Sequence, residues 1–263
     1  MKQKIYQVDA FAQKVFEGNP AAVCIMKSWP AEEWMQNVAM ENNLAETAFV
    51  VPNGESFEIR WFTPELEVDL CGHATLASAY VLFYHEGVKS NKISFHSVQS
   101  GALGVEKSED GLLTLNFPED VAAPVSKNNA LDKALGRDPV KMFQGKTDYL
   151  LIYNKQEEIE ALNPDFLSLS KVNARGVIVT APGNEVDFVS RFFAPQSGVN
   201  EDPVTGSAHT TLTPYWAGEL GKTQMSARQL SKRGGLLHCE YRPPRVLISG
   251  KAVLYSIGEI DIL

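Results

Sequence analysis

Six side chains in this sequence are the obvious candidates for chemistry: Glu46, Cys71 and His73 in the first half, and Asp202, Ser207 and His209 in the second. Five of them lie in a stretch that occurs twice. Arg60-Trp61-Phe62-Thr63-Pro64 leads into Asp69-Leu70-Cys71-Gly72-His73-Ala74-Thr75-Leu76. Arg191-Phe192-Phe193-Ala194-Pro195 leads into Asp202-Pro203-Val204-Thr205-Gly206-Ser207-Ala208-His209-Thr210-Thr211-Leu212. The arginines are 131 residues apart and the histidines 136, so the second turn is longer and the repeat spans close to half of the 263 residues. Each copy runs from an aromatic strand through proline and an acidic turn into an apolar helix. A helix that starts after a tight turn presents unpaired backbone N–H groups and the positive end of its dipole, which together hold an anion. Gly72-His73 and Gly206-Ser207 would present two such ends. If the halves are related by pseudo-symmetry, the ends converge on one cleft suited to a small carboxylate-bearing molecule.

Each candidate has a plainer account. The glycines can serve turn geometry alone. His73 and His209 invite a metal, but no third donor lies at His-x-x-x-His spacing, and no metal is expected. Ser207 beside His209 invites a hydrolase, yet the GxSxG elbow is absent and residues two apart on a helix do not face each other. Cys71 at a helix start can be a nucleophile or base. Its counterpart region, Asp202 to Ser207, has no cysteine, so a symmetric two-thiol pair is not available. Asp69 and Asp202 are turn carboxylates with either a capping or a polar role. Glu46 breaks the symmetry. It sits in the apolar run Leu44-Ala45-Glu46-Thr47-Ala48-Phe49-Val50, whereas Asn173-Ala174-Arg175-Gly176-Val177-Ile178 has no carboxylate. Desolvation by apolar neighbours would raise the pKa of such an acid, as a general acid/base requires; an edge-strand glutamate in water is the alternative.

The elements that must position these residues follow from pattern. Strands are expected at 5–11, 21–26, 46–51 and 57–62, with Gly18-Asn19-Pro20 reversing the chain between the first two. Pro30 and the acids Glu32 and Glu33 open a helix that reaches about residue 42. A strongly apolar helix starts at Gly72-His73 and stops near Gly87, followed by short strands to 117. Pro118 to Pro124 breaks the pattern and marks a boundary between domains 1–118 and 119–263, with a return of the last strands to the first domain left open. The second half reads as short helices and strands before residue 170, strands at 176–180 and 186–193, a helix from Ser207 that Pro214 inside it should bend or tighten, and a strand-rich tail. Many short strands with one long apolar helix per half predict an α+β fold: two pseudo-symmetric domains, each a curved mixed sheet wrapped around a central helix.

Composition limits the partners. Net charge is -8 with pI 5.2 and no long Lys/Arg block, which argues against nucleic acid. The three cysteines, Cys24, Cys71 and Cys239, are widely spaced without a CxxC, so neither a disulfide framework nor a structural zinc site is suggested. The amino-terminal residues alternate like a strand and hold no apolar run long enough for a signal peptide or membrane span; a reducing cytoplasm is the default expectation.

Taken together, Asp9-Ala10-Phe11, Gly18-Asn19-Pro20-Ala21-Ala22-Val23, Asn43-Leu44-Ala45-Glu46-Thr47, the two repeated stretches and Arg233-Gly234-Gly235 resemble the PhzF family of phenazine-biosynthesis-like isomerases, whose fold is shared with diaminopimelate epimerase. The resemblance covers nearly the whole chain. It implies a homodimeric, cofactor-independent proton-transfer enzyme with its site between two domains. Glu46 would move the proton, with His73 and Asp202 as polar partners and Gly72, Gly206 and Ser207 gripping a substrate carboxylate. Because the epimerase relatives use a cysteine from each half, their chemistry fits less well. An epimerase or racemase using Cys71, and a non-catalytic carboxylate-binding protein, remain the rival expectations.

Overall fold

A helix that is apolar on every side has to be enclosed, and the first half contains one: eleven of the thirteen residues of α2 (Gly72–Tyr84) are buried. The two buried hydroxyls on it are satisfied locally, Thr75 Oγ1 donating to the Cys71 carbonyl at 2.6 Å and Ser78 Oγ to the Ala74 carbonyl at 2.7 Å. What encloses α2 is sheet. In this computed structural model, which describes residues 2–261, the chain divides into two compact units, Met1–Asn116 with Ser249–Leu263, and Phe117–Ile248.

In the first unit, β1 (Lys2–Ala10) and β2 (Asn19–Ile25) are antiparallel neighbours. After α1 (Glu32–Asn42), β3 (Glu46–Asn53) runs parallel to β2 with Ala21 opposite Glu46. The chain then doubles back through β4 (Ser56–Phe62) and the two-residue β5 (Glu67–Val68) before entering α2. After α2, β6 (Lys92–Ser97) returns parallel to β4, and β7 (Gly101–Lys107) and β8 (Leu113–Pro118) continue antiparallel. Strict alternation of buried and exposed residues along β6 marks a sheet with one face on the core. On the opposite face α1 packs Met35 and Ala39 against Cys24, Phe49 and Phe62.

The second unit repeats this order. β9 (Ala123–Pro124), α3 (Asn129–Leu135), β10 (Lys141–Gln144) and β11 (Asp148–Ile152) precede α4 (Gln156–Glu160) and α5 (Phe166–Leu169). Next come β12 (Gly176–Pro182), β13 (Phe188–Phe193), α6 (Gly206–Leu220), β14 (Gln224–Gln229), β15 (Gly235–Arg242) and β16 (Arg245–Gly250). β11–β12 and β13–β14 are parallel and β12–β13 antiparallel, as β2–β3, β4–β6 and β3–β4 are. Leu131, Leu135, Ile159 and Leu169 from the outer helices, with Leu162 between two of them, cover Val177, Val179 and Ala181.

Two details bear on the pattern-based expectation. The last strand, β17 (Ala252–Asp261), does not complete the second domain; it runs antiparallel to β1, from Lys2 opposite Asp261 to Ala10 opposite Ala252, so the tail belongs to the first unit. α6 continues through Pro214 as one helix. Proline cannot donate to the carbonyl four residues earlier, and that carbonyl, of Thr210, accepts instead from the Asp120 N–H at 3.1 Å. No helix of the described residues is long and apolar enough to cross a membrane.

Candidate active site

The repeated arginines hold the turns that deliver α2 and α6. Arg60 Nε donates to Glu67 Oε1 at 2.7 Å, and Arg191 Nε and Nη2 donate to Glu201 Oε1 and Oε2 at 2.7 and 2.9 Å. A two-point Arg–carboxylate pair fixes direction as well as distance. The acidic residues that the repeat shares are thus Glu67 and Glu201. Asp69, a candidate from sequence, is exposed, and its carbonyl accepts from Ser100 Oγ at 2.6 Å.

In the first unit, three segments meet at His73. Cys71 is the extended residue before α2, and His73, the second residue of the helix, is 4% exposed. Its Nε2 lies 3.1 Å from Glu46 Oε2, at the start of β3. Its Nδ1 lies 3.5 Å from Cys71 Sγ and 3.1 Å from Asn19 Nδ2. Asn19 reaches this point because Gly18 turns the chain at φ +66, where a Cβ would sit 2.1 Å from the Ala10 carbonyl oxygen. With Asn19 Nδ2 donating to Nδ1, a neutral His73 carries its proton on Nε2, facing Glu46. An amide also offers an acceptor, so the same residue can serve the charged ring.

The electrostatics are those of a closely coupled group. Burial works against charge on His73, but the Cys71 sulfur and the Glu46 carboxylate beside the ring outweigh it and hold the imidazole well above its ordinary range. Burial pushes the Cys71 thiol up to about 11. Glu46 is partly exposed and flanked by the His73 ring, in place of the purely apolar surroundings expected of its run. Glu46, Cys71 and His73 offer one ligand atom each within 4.8 Å of one another. The sequence expectation of no metal rested on a missing third donor at helical spacing. Here the donors come from a strand, a turn and a helix.

In the second unit, α6 begins at Gly206, so Gly206 and Ser207 correspond to Gly72 and His73, and Thr205 corresponds to Cys71. Matching His209 to His73 is therefore incorrect. His209 lies deeper in the helix, wholly buried, with Nδ1 donating to the Thr205 carbonyl at 2.8 Å; burial lowers its pKa to about 4. Asp202 accepts from Thr205 Oγ1, and the Gln229 side-chain amide donates to the Asp202 carbonyl at 2.7 Å while accepting from the Thr205 N–H at 2.9 Å. Arg175 donates to Ser207 Oγ at 3.1 Å and pairs with the buried Asp148 through two hydrogen bonds. A cation thus lies at the α6 N-terminus.

The absence of a second Glu46 has a steric basis. Its counterpart is Gly176, where a Cβ would fall 2.2 Å from Phe192 Cζ. The ring occupies that space and carries the Arg175 guanidinium 5.6 Å from its centroid. Sequence reasoning missed Asn19, Arg175 and Gln229 as site residues. Asn19 read as a turn residue, and the partners of all three lie 24 to 54 residues away. An Arg immediately before an apolar strand was the one available signal.

A profile of the PhzC-PhzF family, phenazine biosynthesis-like protein, matches residues 8–258. A Pseudomonas aeruginosa protein described as an uncharacterized isomerase is 51% identical over 263 residues, with 100% of both chains covered. The crystal structure of a phenazine biosynthesis PhzF-family protein from Enterococcus faecalis has a TM-score of 0.96 at 47% identity, with 100% of both chains covered. A hydroxyproline epimerase from Agrobacterium vitis shares the fold at a TM-score of 0.64 and 9% identity, over 98% of this chain and 92% of its own. The chain belongs to the PhzC-PhzF family of phenazine biosynthesis-like proteins, and its α+β fold is of the epimerase-like kind.

Proposed function

We propose that the protein is a cofactor-independent isomerase that moves a proton on a small carboxylate-bearing substrate, with Glu46 as the acid/base. The observation that carries this reading is the 3.1 Å contact between Glu46 Oε2 and the buried His73 Nε2, itself held on its other nitrogen by Asn19. In the forward step a substrate C–H bond breaks, its proton passes to Glu46, and the electron pair spreads into the adjoining unsaturated or carboxylate system. The reverse transfer delivers that proton to a different carbon. His73 and the N-terminus of α2 at Gly72 would stabilise the negative charge as it develops. Asp202, Gly206 and Ser207, with Arg175 behind Ser207, are proposed as the second unit's contribution to substrate binding.

The test is deuterium incorporation in deuterated water with unsaturated cyclic amino acids, followed by NMR. General acid/base catalysis contributes about 10²- to 10⁴-fold, so Glu46→Gln should slow exchange by that order while leaving the fold intact. Exchange at the parental rate in this variant would remove Glu46 as the base.

A second reading is favoured by one observation, the Cys71 thiol 3.5 Å from His73: an epimerase using Cys71. Against it, a thiol with a pKa of about 11 is a poor base near neutrality, and the residue corresponding to it is Thr205. Inversion of a stereocentre by the native protein, abolished in Cys71→Ser, would select it. A third possibility, a carboxylate-binding protein without turnover, predicts ligand-dependent thermal shifts that are the same in Glu46→Gln.

A further inference from the structure

We infer that Glu46, Cys71 and His73 form a binding site for a soft divalent cation, Zn2+ above all, whose occupation silences proton transfer at Glu46. The binding half stands on geometry alone; the silencing half rests on the function proposed above.

Tetrahedral zinc bonded to sulfur, nitrogen and oxygen at its usual bond lengths sets those donors about 3.4 to 3.6 Å apart. Here Nε2 of His73 is 3.1 Å from Glu46 Oε2 and 4.0 Å from Cys71 Sγ, and all three ligand atoms lie within 4.8 Å of one another. The Cys71–Glu46 spacing, up to 4.8 Å, closes to the zinc geometry by side-chain rotation, the thiol moving from its place nearer Nδ1 toward Nε2. A second observation points the same way. Glu46 Oε2 is buried and has His73 Nε2 as its near neighbour at 3.1 Å, so that edge of the carboxylate faces into the cluster. The third is the position of Asn19. Metal-bound histidines are held through the nitrogen that does not bind the metal, and Asn19 lies 3.1 Å from Nδ1, leaving Nε2 toward Glu46.

The donor set selects the ion. A thiolate with an imidazole and one carboxylate oxygen suits Zn2+, Co2+ or Cd2+ and disfavours Mg2+ and Ca2+, which take oxygen ligands. On binding, the metal–sulfur bond forms as the S–H bond of Cys71 breaks and its proton passes to water. His73 supplies the Nε2 lone pair, giving any proton there to water, and Glu46 supplies an oxygen. The carboxylate so bound can no longer take a proton from substrate. With three protein donors, the fourth position is left for water or a substrate carboxylate. Among the described residues no other cluster of three such donors is this close, and Cys24 and Cys239, both buried, serve as internal controls.

The experiment is a Co2+ titration of the tag-free, reduced protein, followed by displacement with Zn2+ and a Mg2+ control. A thiolate-to-cobalt charge-transfer band is expected to saturate at one equivalent per chain and to be displaced by Zn2+ but not Mg2+. It should vanish in Cys71→Ser and persist in Cys24→Ser and Cys239→Ser, with circular dichroism reporting the fold of each variant. Zn2+ affinity should fall about 10- to 100-fold in Asn19→Ala, the range for a residue that orients a ligand. No band in the native protein, or one that survives Cys71→Ser, overturns the site. Binding of Zn2+ that leaves deuterium exchange unchanged would instead overturn the silencing, and with it the assignment of Glu46 as the base, while leaving the metal site standing.

Discussion

At the residue scale, charge has been placed in the two copies of one design by different means. His73 in the first copy is a buried ring whose charge is sustained by Glu46 and Cys71. Its positional counterpart, Ser207, is neutral, and the positive charge beside it comes from Arg175, which reaches in from the residue before β12. Arg175 has a structural duty as well, because Asp148 is 1% exposed and takes two of its hydrogen bonds. Removing one member of a buried ion pair strands the other, at a cost of about 3 to 5 kcal/mol. Arg175 is itself 41% exposed, which places Arg175→Ala near the lower end, at about 3 kcal/mol. Urea denaturation should show this loss, and Asp148→Asn in the same chain should recover much of it by removing the stranded charge. A double variant no more stable than Arg175→Ala would mean that Arg175 acts through Phe192 packing and not through Asp148.

At the element scale, the parts of the fold that sequence makes legible are those governed by a local period. α2 announces itself because it is apolar on every side, and β6 because it alternates. The clamps Arg60–Glu67 and Arg191–Glu201 were hidden, since an acid in a turn looks the same whether it caps, solvates or pairs. The helix starts also misled: two histidines in like settings suggested equivalence, while the structural equivalence is Gly72 with Gly206. Gly176 shows how an element can leave no room for a side chain. In the register of β12 on β13 it occupies the place that Glu46 takes in β3, and Phe192 fills the space a side chain would need. Gly176→Ala should therefore destabilise the second unit by about 1 to 3 kcal/mol, the usual cost of overpacking. Adding Phe192→Leu should relieve the clash, visible as a non-additive gain in a double-mutant cycle. Simple additivity of the two changes would show that the ring is not the obstacle.

At the scale of the whole molecule, a repeat that began as one fold has kept its strand order while its two central helices now differ in how their buried histidines ionise. The repetition and the fold class could be read from sequence because both are written in patterns of residue type. The direction in which each histidine is driven could not, since it depends on whether a carboxylate arrives from another strand. His73 meets one; His209 meets the Thr205 carbonyl and the Phe188 ring, 6.1 Å away centroid to centroid, and its Nε2 has no hydrogen-bond partner among the described residues. This difference makes a prediction for stability against pH. The folded His209 has a pKa of about 4 against an ordinary 6.5, so between those values the unfolded chain binds a proton that the folded chain refuses. Stability contributed by His209 is complete above the ordinary value and is lost as pH falls toward 4. At about 1.4 kcal/mol per pH unit, the loss between about pH 7 and pH 5 is roughly 2 kcal/mol. Other groups titrate in the same range, so the comparison that isolates His209 is the pH slope of urea-unfolding free energy in the native protein and in His209→Gln. The variant starts lower at neutral pH, because an amide replaces the packed ring, but its curve should be flatter across the window. Parallel slopes would mean that His209 takes up its proton in the folded state as readily as in the unfolded one, and that the burial seen around it does not exclude charge.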